Sequence, residues 1–300
     1  MKISKRTTGN LLLLLTAFIW GTAFIAQKKG IGVLRECTFN GIRTMLGCIA
    51  LLPLIFFRDY RAKKRNEYKK QDTKTLLTGG LICGVLLCVA GTSQTYGLAD
   101  ADAGKAGFIT ALYLVLVPII GIFVGKKLRP ITIISVVLAL GGLYFLCVKA
   151  GSGFTFNRGD MLLFFCAIVF SFHIMAIDYF SPKVDGVKLS CLQFFVSATL
   201  NMIVMVIWEK PEISDILKCW FPLFYAGVMS CGVAYTLQIV AQKDTDPTVA
   251  SIIMSMESLF ALLAGIAFGE KPGVRELIGC ALMLVAIILV QLPEKKGVEE

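Results

Sequence analysis

Three ionisable residues, Arg43, His173 and Glu257, stand inside long apolar runs. An ionisable side chain within a bilayer costs a few kcal/mol, so it is expected to face a cavity or a partner rather than lipid. A guanidinium at Arg43 would attract a carboxylate or hold backbone carbonyls. A carboxyl at Glu257 would recognise a cationic group, carry a proton, or bond a neighbouring helix. His173 would shuttle protons or serve as a hydrogen-bonded packing residue, since imidazole titrates near pH 6.5. Trp20 and Phe170 would form an aromatic cavity wall or simply pack.

A duplication places these residues in relation to one another. Residues 89–148 recur at 233–292 with no gap, at a constant offset of 144. Val89, Ala90, Thr92 and Gln94 return as Val233, Ala234, Thr236 and Gln238, and Gly121, Gly125 and Lys127 as Gly265, Gly269 and Lys271. The offset pairs Glu257 with Tyr113 at matching depth on opposite sides of a common centre. It also pairs Gln94 with Gln238, which are expected as cavity or gate residues, Gln94 toward the outer side and Gln238 toward the inner, or as interhelical hydrogen-bond glue. Tyr235 and Gln242 share the face of Gln238 at helical spacing. Gly121-x3-Gly125 and Gly265-x3-Gly269 read as close-packing faces, because small residues let membrane helices approach.

The elements that carry them follow from composition. Apolar residues make up 56% and charged residues 17% of the 300, too little charge to solvate a soluble domain, which carries about a quarter. Ten apolar runs have the length needed to cross a bilayer, about 20 residues each: approximately 10–27, 37–57, 76–97, 104–125, 130–148, 159–180, 188–208, 219–241, 248–269 and 274–292. With no water in the hydrocarbon core, backbone groups must pair internally, so these are helices. Runs such as Leu11–Leu15 and Val136–Leu140 do not alternate as barrel strands must. The expectation is an all-α membrane protein of ten transmembrane helices.

Five spans per half is an odd number, so the second half must be inserted upside-down relative to the first. The predicted organisation is a first repeat over 9–148, a Gly- and Ser-containing linker over 149–158, and an inverted second repeat over 159–292. Such repeats let a central site open to each side in turn.

The net charge of +10 is concentrated beside the membrane, with eight basic residues between Arg58 and Lys74. By the positive-inside rule this loop is cytoplasmic, Lys2, Lys5 and Arg6 agree, and ten spans place both termini in the cytoplasm of a multi-pass cell-membrane protein. The loop sets orientation and touches anionic lipid; nucleic acid is not an expected partner. The ten cysteines are scattered through the spans without a Cys-x-x-Cys pair, and there is one histidine. A disulfide framework, a metal site and a cofactor are therefore not expected. The spacing of Gly121, Gly125 and Lys126 does not make a phosphate-binding loop, so ATP is not expected as the energy source within this chain. The basic, apolar N-terminus reads as the first span rather than a signal peptide, since no clear small-x-small site follows.

Helix one reads Ala17-Phe-Ile-Trp-Gly-Thr-Ala-Phe24, the second span carries Gly41-Ile-Arg-Thr44, and the fourth ends Gly121-Ile-Phe-Val-Gly-Lys-Lys127. In the second half Ala234-Tyr-Thr-Leu-Gln238 precedes Asp246-Pro-Thr-Val-Ala-Ser251, followed by Met256-Glu-Ser258 and Gly269-Glu-Lys271. Together these segments resemble the EamA-type branch of the drug/metabolite transporter superfamily, as two EamA units over essentially the whole chain. The resemblance implies ten helices in two inverted repeats around a central cavity, with the fifth and tenth at the periphery, and export of amino acids and related small metabolites. The chain departs from the pattern where Lys126 stands opposite Glu270 and His173 opposite Ala23.

The expected function is thus secondary transport of a small-molecule substrate, an amino acid or related metabolite, by alternating access; a homodimer is compatible with it. A broad exporter of lipophilic cations binding at Glu257 is the first alternative. An intramembrane enzyme using His173 and Asp178 is the second, and it is disfavoured because residues five apart on a helix differ by about 140° in direction.

Overall fold

The computed structural model describes residues 5–65, 72–100, 103–148, 157–267 and 272–292. These residues form helices and short connections, with no strand among them. Helix α1 (Lys5–Ile31), α2 (Glu36–Lys64) and α3 (Thr73–Asp100) are long and continuous. The fourth span is divided into α4 (Ala103–Thr110) and α5 (Tyr113–Phe123), and α6 (Pro130–Cys147) closes the first half. The second half opens with α7 (Arg158–Phe180) and α8 (Gly186–Val204), the latter running into a π-helical turn at Met205–Glu209. A short α9 (Ile213–Lys218) leads to α10 (Trp220–Phe224), a π-helical stretch Tyr225–Tyr235 and α11 (Thr236–Gln242). The ninth span is divided into α12 (Pro247–Met254) and α13 (Glu257–Ala267), and α14 (Val274–Gln291) ends the described chain.

Nine helical segments among the described residues are long and apolar enough to cross a membrane, one fewer than the ten expected runs. The remaining run falls on α1, whose 27 residues extend for about 40 Å at 1.5 Å per residue but begin with Lys5 and Arg6. The sequence expectation also missed both helix breaks. They occur at the same place in each half: α4 ends at Thr110 and α12 at Met254, while α5 starts at Tyr113 and α13 at Glu257. At each break the bonds shorten to three residues, Leu114 N donating to Ala111 O and Ser258 N to Ser255 O. Apolar periodicity cannot reveal such a tightening, because no Gly or Pro marks it.

Local chemistry sets several helix starts. Asn157 and Asp160 form a reciprocal capping box at α7, satisfying two backbone donors that otherwise have no partner. Asp185 accepts from Val187 N and Lys188 N at α8, and Asp246 from Thr248 N and Val249 N at α12.

The halves interleave: α2 packs against α8, α3 against α7, and α6 against α14. At the close approach of α6 and α14, the small residues are not those expected. A Cβ on Gly142 of α6 would stand 2.9 Å from Gly279 O, and one on Gly279 of α14 would stand 2.7 Å from Gly142 O. A Cβ on Gly121 would meet only the Lys126 side chain, at 3.7 Å, and one on Gly125 would meet nothing within 4 Å. Gly125 instead takes φ +84°, the left-handed conformation that lets a chain leave a helix, and Lys126 N bonds back to Gly121 O at 2.8 Å. That pair therefore ends α5 rather than packing it. Gly265 lies within α13, while Gly269, most of the 149–158 linker and part of the basic loop lie outside the described residues.

Candidate functional site

A cavity of about 610 Å³, counting its open mouth, lies between the halves. Helix α1 contributes Trp20, Ala23 and Gln27, α2 contributes Arg43, and α3 contributes Gln94. The two helix breaks bring Thr110 and Tyr113 from one half and Met254 and Glu257 from the other. Phe170, His173 and Ile174 come from α7, and Ser230, Tyr235 and Gln238 from the π-helical segment and α11. All eight residues singled out in the sequence as cavity, wall or gate candidates border this one space.

Each break positions a polar side chain. Tyr113 and Glu257 open their restarted helices, and the Tyr113 hydroxyl donates to Glu257 Oε1 at 3.5 Å. This is the long end of hydrogen-bond geometry, so the contact is weak. Among the described residues Glu257 forms no salt bridge. Gly21 of α1 backs it: a Cβ there would lie 2.5 Å from Glu257 O.

Arg43 supplies the opposite charge. It is buried, its Nε has no hydrogen-bond partner, and among the described residues no carboxylate pairs with it. Its guanidinium carbon lies 5.7 Å from the Phe39 ring centre, within the range of a cation–π attraction. The stripe beside it is polar, with Asn40 Nδ2 donating to Thr95 Oγ1 at 2.9 Å. Arg43 and Tyr235 also border a smaller cavity of about 220 Å³, shared with Asn40, Thr44 and Asn201.

The aromatic wall is organised by the π-helical segment. Its wider turns present backbone carbonyls sideways, and α1 reaches them: Thr16 Oγ1 donates to Ala234 O at 3.1 Å and Trp20 Nε1 to Ser230 O at 3.3 Å. Trp20 then lies 4.7 Å from Tyr235 between ring centres. His173 stands edge-on to Phe170 at 6.3 Å and to Tyr235 at 6.2 Å. Its Nε2 is 3.1 Å from Gln193 Oε1, and its Nδ1 has no partner.

Gln94 and Gln238 differ in engagement. Gln238 Nε2 donates to Gln242 Oε1 at 2.9 Å and Gln242 Nε2 to Ile174 O at 3.3 Å, leaving Gln238 Oε1 without a partner. Gln94 is half-buried at the cavity edge. The sequence reading missed Gln27, Thr110 and Ser230. Gln27 stands at the end of the first apolar run, where a polar residue carries no distinct signal. Thr110 becomes informative only through the break at Met254, its partner at the repeat offset. Ser230 acts through its backbone, which no sequence pattern displays.

Asp178 does not join His173. It pairs with Lys126 at 2.6 Å, and Lys126 is also 3.9 Å from Asp246. Arg58–Asp185 at 3.0 Å and Lys188–Asp59 at 2.7 Å lie at the same end of the molecule, where α2 and α7 finish and α8 begins. Every one of these contacts except Lys126's reach to Asp178 and Asp246 involves α2 and α8, and all join the first half to the second. Among the described residues no group of three or more His, Cys, Asp or Glu is arranged to hold a metal ion.

Comparison with known proteins agrees with this geometry. Residues 7–148 and 157–292 each match the profile of the EamA-like transporter family. An uncharacterized transporter of Archaeoglobus fulgidus is 32% identical over 292 residues, covering 96% of this chain and 87% of its own. An uncharacterized transporter of Clostridium kluyveri is 24% identical, covering 96% and 94%. The uncharacterized transporter YoaV of Bacillus subtilis is 22% identical, covering 90% and 92%. A protein known from a crystal structure superposes with a TM-score of 0.77 at 17% identity, over 95% of this chain and 96% of that one. That likeness concerns the fold alone.

Proposed function

The chain belongs to the EamA-like transporter family, and from that premise we propose that it exports an amino acid or related small metabolite by alternating access. One observation carries the choice of substrate: one cavity presents a buried guanidinium that no carboxylate pairs and a carboxylate that no cation pairs among the described residues. A zwitterion supplies both missing partners, its carboxylate to Arg43 and its ammonium to Glu257, in a site where charge left unpaired is costly. The aromatic wall of Trp20, Tyr235 and Phe170 accommodates an apolar side chain. Because the halves interleave, opening is a movement of helices packed across the repeat boundary rather than of two separate sequence halves. On this reading the chain lies in the cell membrane as two inverted repeats, with both termini cytoplasmic.

Exchange of radiolabelled amino acids into proteoliposomes preloaded with a panel of unlabelled amino acids tests the reading. Exchange by a subset, lost in Arg43→Gln and in Glu257→Gln, is expected; a wild-type protein that exchanges none of them overturns it. The second reading, export of lipophilic cations, draws on Glu257 beside aromatic rings. Competition by tetraphenylphosphonium but not by amino acids would favour it.

A further inference from the structure

Cys48 of α2 and Cys191 of α8 bring their sulfurs within 3.5 Å of each other across the boundary between the halves. Cys191 Sγ also lies 3.7 Å from Cys48 O. The two positions are 143 residues apart in sequence, one in each half of the chain. Both thiols are free. A disulfide needs its sulfurs at about 2.0 Å and favours closely facing Cβ atoms, which leaves an approach of about 1.5 Å.

The helices carrying them are tied on both sides of the pair. At one end Glu209, just beyond α8, accepts from Cys37 N at 3.0 Å and from Thr38 N and Thr38 Oγ1 at 2.6 Å, at the start of α2. At the other end Arg58 and Asp59 of α2 pair with Asp185 and Lys188. These contacts hold the sulfurs in register. Cys48 also belongs to the apolar cluster of Leu51, Phe194, Cys231 and Tyr235, and Tyr235 forms part of the cavity wall.

We propose that Cys48 and Cys191 are a redox-responsive pair whose disulfide latches α2 to α8 and slows transport. The consequence for transport rests on the function proposed above; the covalent chemistry does not. The oxidant is hydrogen peroxide, a small neutral molecule. Cys191 is partly accessible, whereas Cys48 is buried, so Cys191 is oxidised first, its thiol becoming a sulfenic acid as one water is released. The Cys48 sulfur then attacks the Cys191 sulfur. The S–S bond forms as the S–O bond breaks, and the departing hydroxide takes the Cys48 proton as a second water. Two thiols lose two electrons and two protons, and one peroxide becomes two waters.

The test oxidises the full-length protein in proteoliposomes and maps its peptides by mass spectrometry. A peptide joining Cys48 to Cys191 is expected, with loss of maleimide labelling at both. Transport should fall severalfold and return with dithiothreitol. The melting temperature of the solubilised protein should rise by several degrees, a readout that needs no substrate. Cys48→Ser and Cys191→Ser, made separately in case one folds poorly, should give no joined peptide and no rise in melting temperature, and Cys231→Ser should show all of the wild-type responses. Labelling retained at both cysteines, a disulfide to Cys231 instead, equal inhibition in the two serine variants, or a disulfide that leaves both transport and melting unchanged would each overturn the proposal. Wild-type protein that moves no amino acid counts against the function above, while the peptide map and melting shift still decide the latch.

Discussion

Tyr113 and Glu257, 144 residues apart in sequence, meet hydroxyl to carboxylate at 3.5 Å, each as the first residue of a helix restarted after a break. The repeat offset thus appears in space as a direct contact across the cavity. Because the bond is long, the carboxylate keeps capacity for another donor, and the helix breaks keep both side chains aimed at the same space. Discontinuous helices at the midplane are a common way for transporters to build a site.

Replacing Glu257 by Gln keeps the shape and removes charge and titration. Loss of exchange is expected if the carboxyl holds the substrate ammonium; exchange that persists while accumulation against a gradient falls at least tenfold would instead assign it to proton coupling. In the first case the loss is one of affinity, and the pH profile should remain. Tyr113→Phe removes one long hydrogen bond, worth about 1 kcal/mol or less, so its effect on affinity should stay below about fivefold. Wild-type affinity, accumulation and pH profile in a well-inserted Glu257→Gln protein would make the carboxyl structural.

The fold was legible to the extent that hydrophobic length and duplication express it. Apolar runs located the helices to within a few residues because water exclusion forces a helix wherever such a run crosses the membrane. Arg43, His173 and Glu257 were legible as site candidates for the same reason, since an ionisable group in that setting needs a polar destination. The breaks at Thr110 and Met254 were not, because they arise from three-residue hydrogen bonds between ordinary helix-forming residues. The packing reading of Gly121 and Gly125 went astray because Gly-x3-Gly spacing is shared by packing faces and helix ends; the positive φ of Gly125 separates them. Lys126 gains meaning through Asp178, on a helix far away in sequence.

Gly21→Ala tests the support behind the site. The added Cβ would fall 2.5 Å from Glu257 O and 2.8 Å from Ala261 N, both backbone atoms of α13, so α1 and α13 must separate. A cost of about 1–3 kcal/mol follows from overpacking. Transport should be impaired with Glu257 intact, and melting of the solubilised protein should fall by several degrees. Unchanged transport and melting would show that α1 yields freely here.

Gln94→Ala and Gln238→Ala should each impair transport severalfold while membrane insertion is preserved, since neither change lowers span hydrophobicity. Gln238 holds Gln242, which in turn reaches Ile174 O, so its loss should be the greater. Cysteine probes at the two positions should label reciprocally, position 94 better from outside and 238 from inside. Full activity in both variants would return the glutamines to a packing role.

Orientation rests on the basic loop between Arg58 and Lys74 and on an odd number of spans per repeat. Membrane-impermeant labelling of single-cysteine variants should find residue 66 and the C-terminus on the cytoplasmic face, and the 149–158 linker on the opposite face. Labelling of the linker from the cytoplasm would sink both the orientation and the inverted repeat.

The ion pairs at the end of the molecule where α2 and α7 finish provide the last test. Lys126 follows the left-handed turn at Gly125 and reaches Asp178 at 2.6 Å and Asp246 at 3.9 Å, tying the end of α5 to the end of α7 and the start of α12. The Lys126 and Asp178 side chains are 32% and 23% exposed, so the pair is solvent-screened and worth about 1 kcal/mol or less. That is too little to hold the fold together. It is enough to change the balance between two cavity openings about fivefold, because a two-state equilibrium responds exponentially to small free energies. Lys126→Gln and Asp178→Asn should therefore leave melting nearly unchanged while increasing maleimide labelling of a Gln238→Cys probe from that end. The charge exchange Lys126→Asp with Asp178→Lys should bring labelling back toward the original level. If neither single variant alters labelling, or if the exchange fails to reverse it, the pair is not a gate and its contribution is confined to local packing.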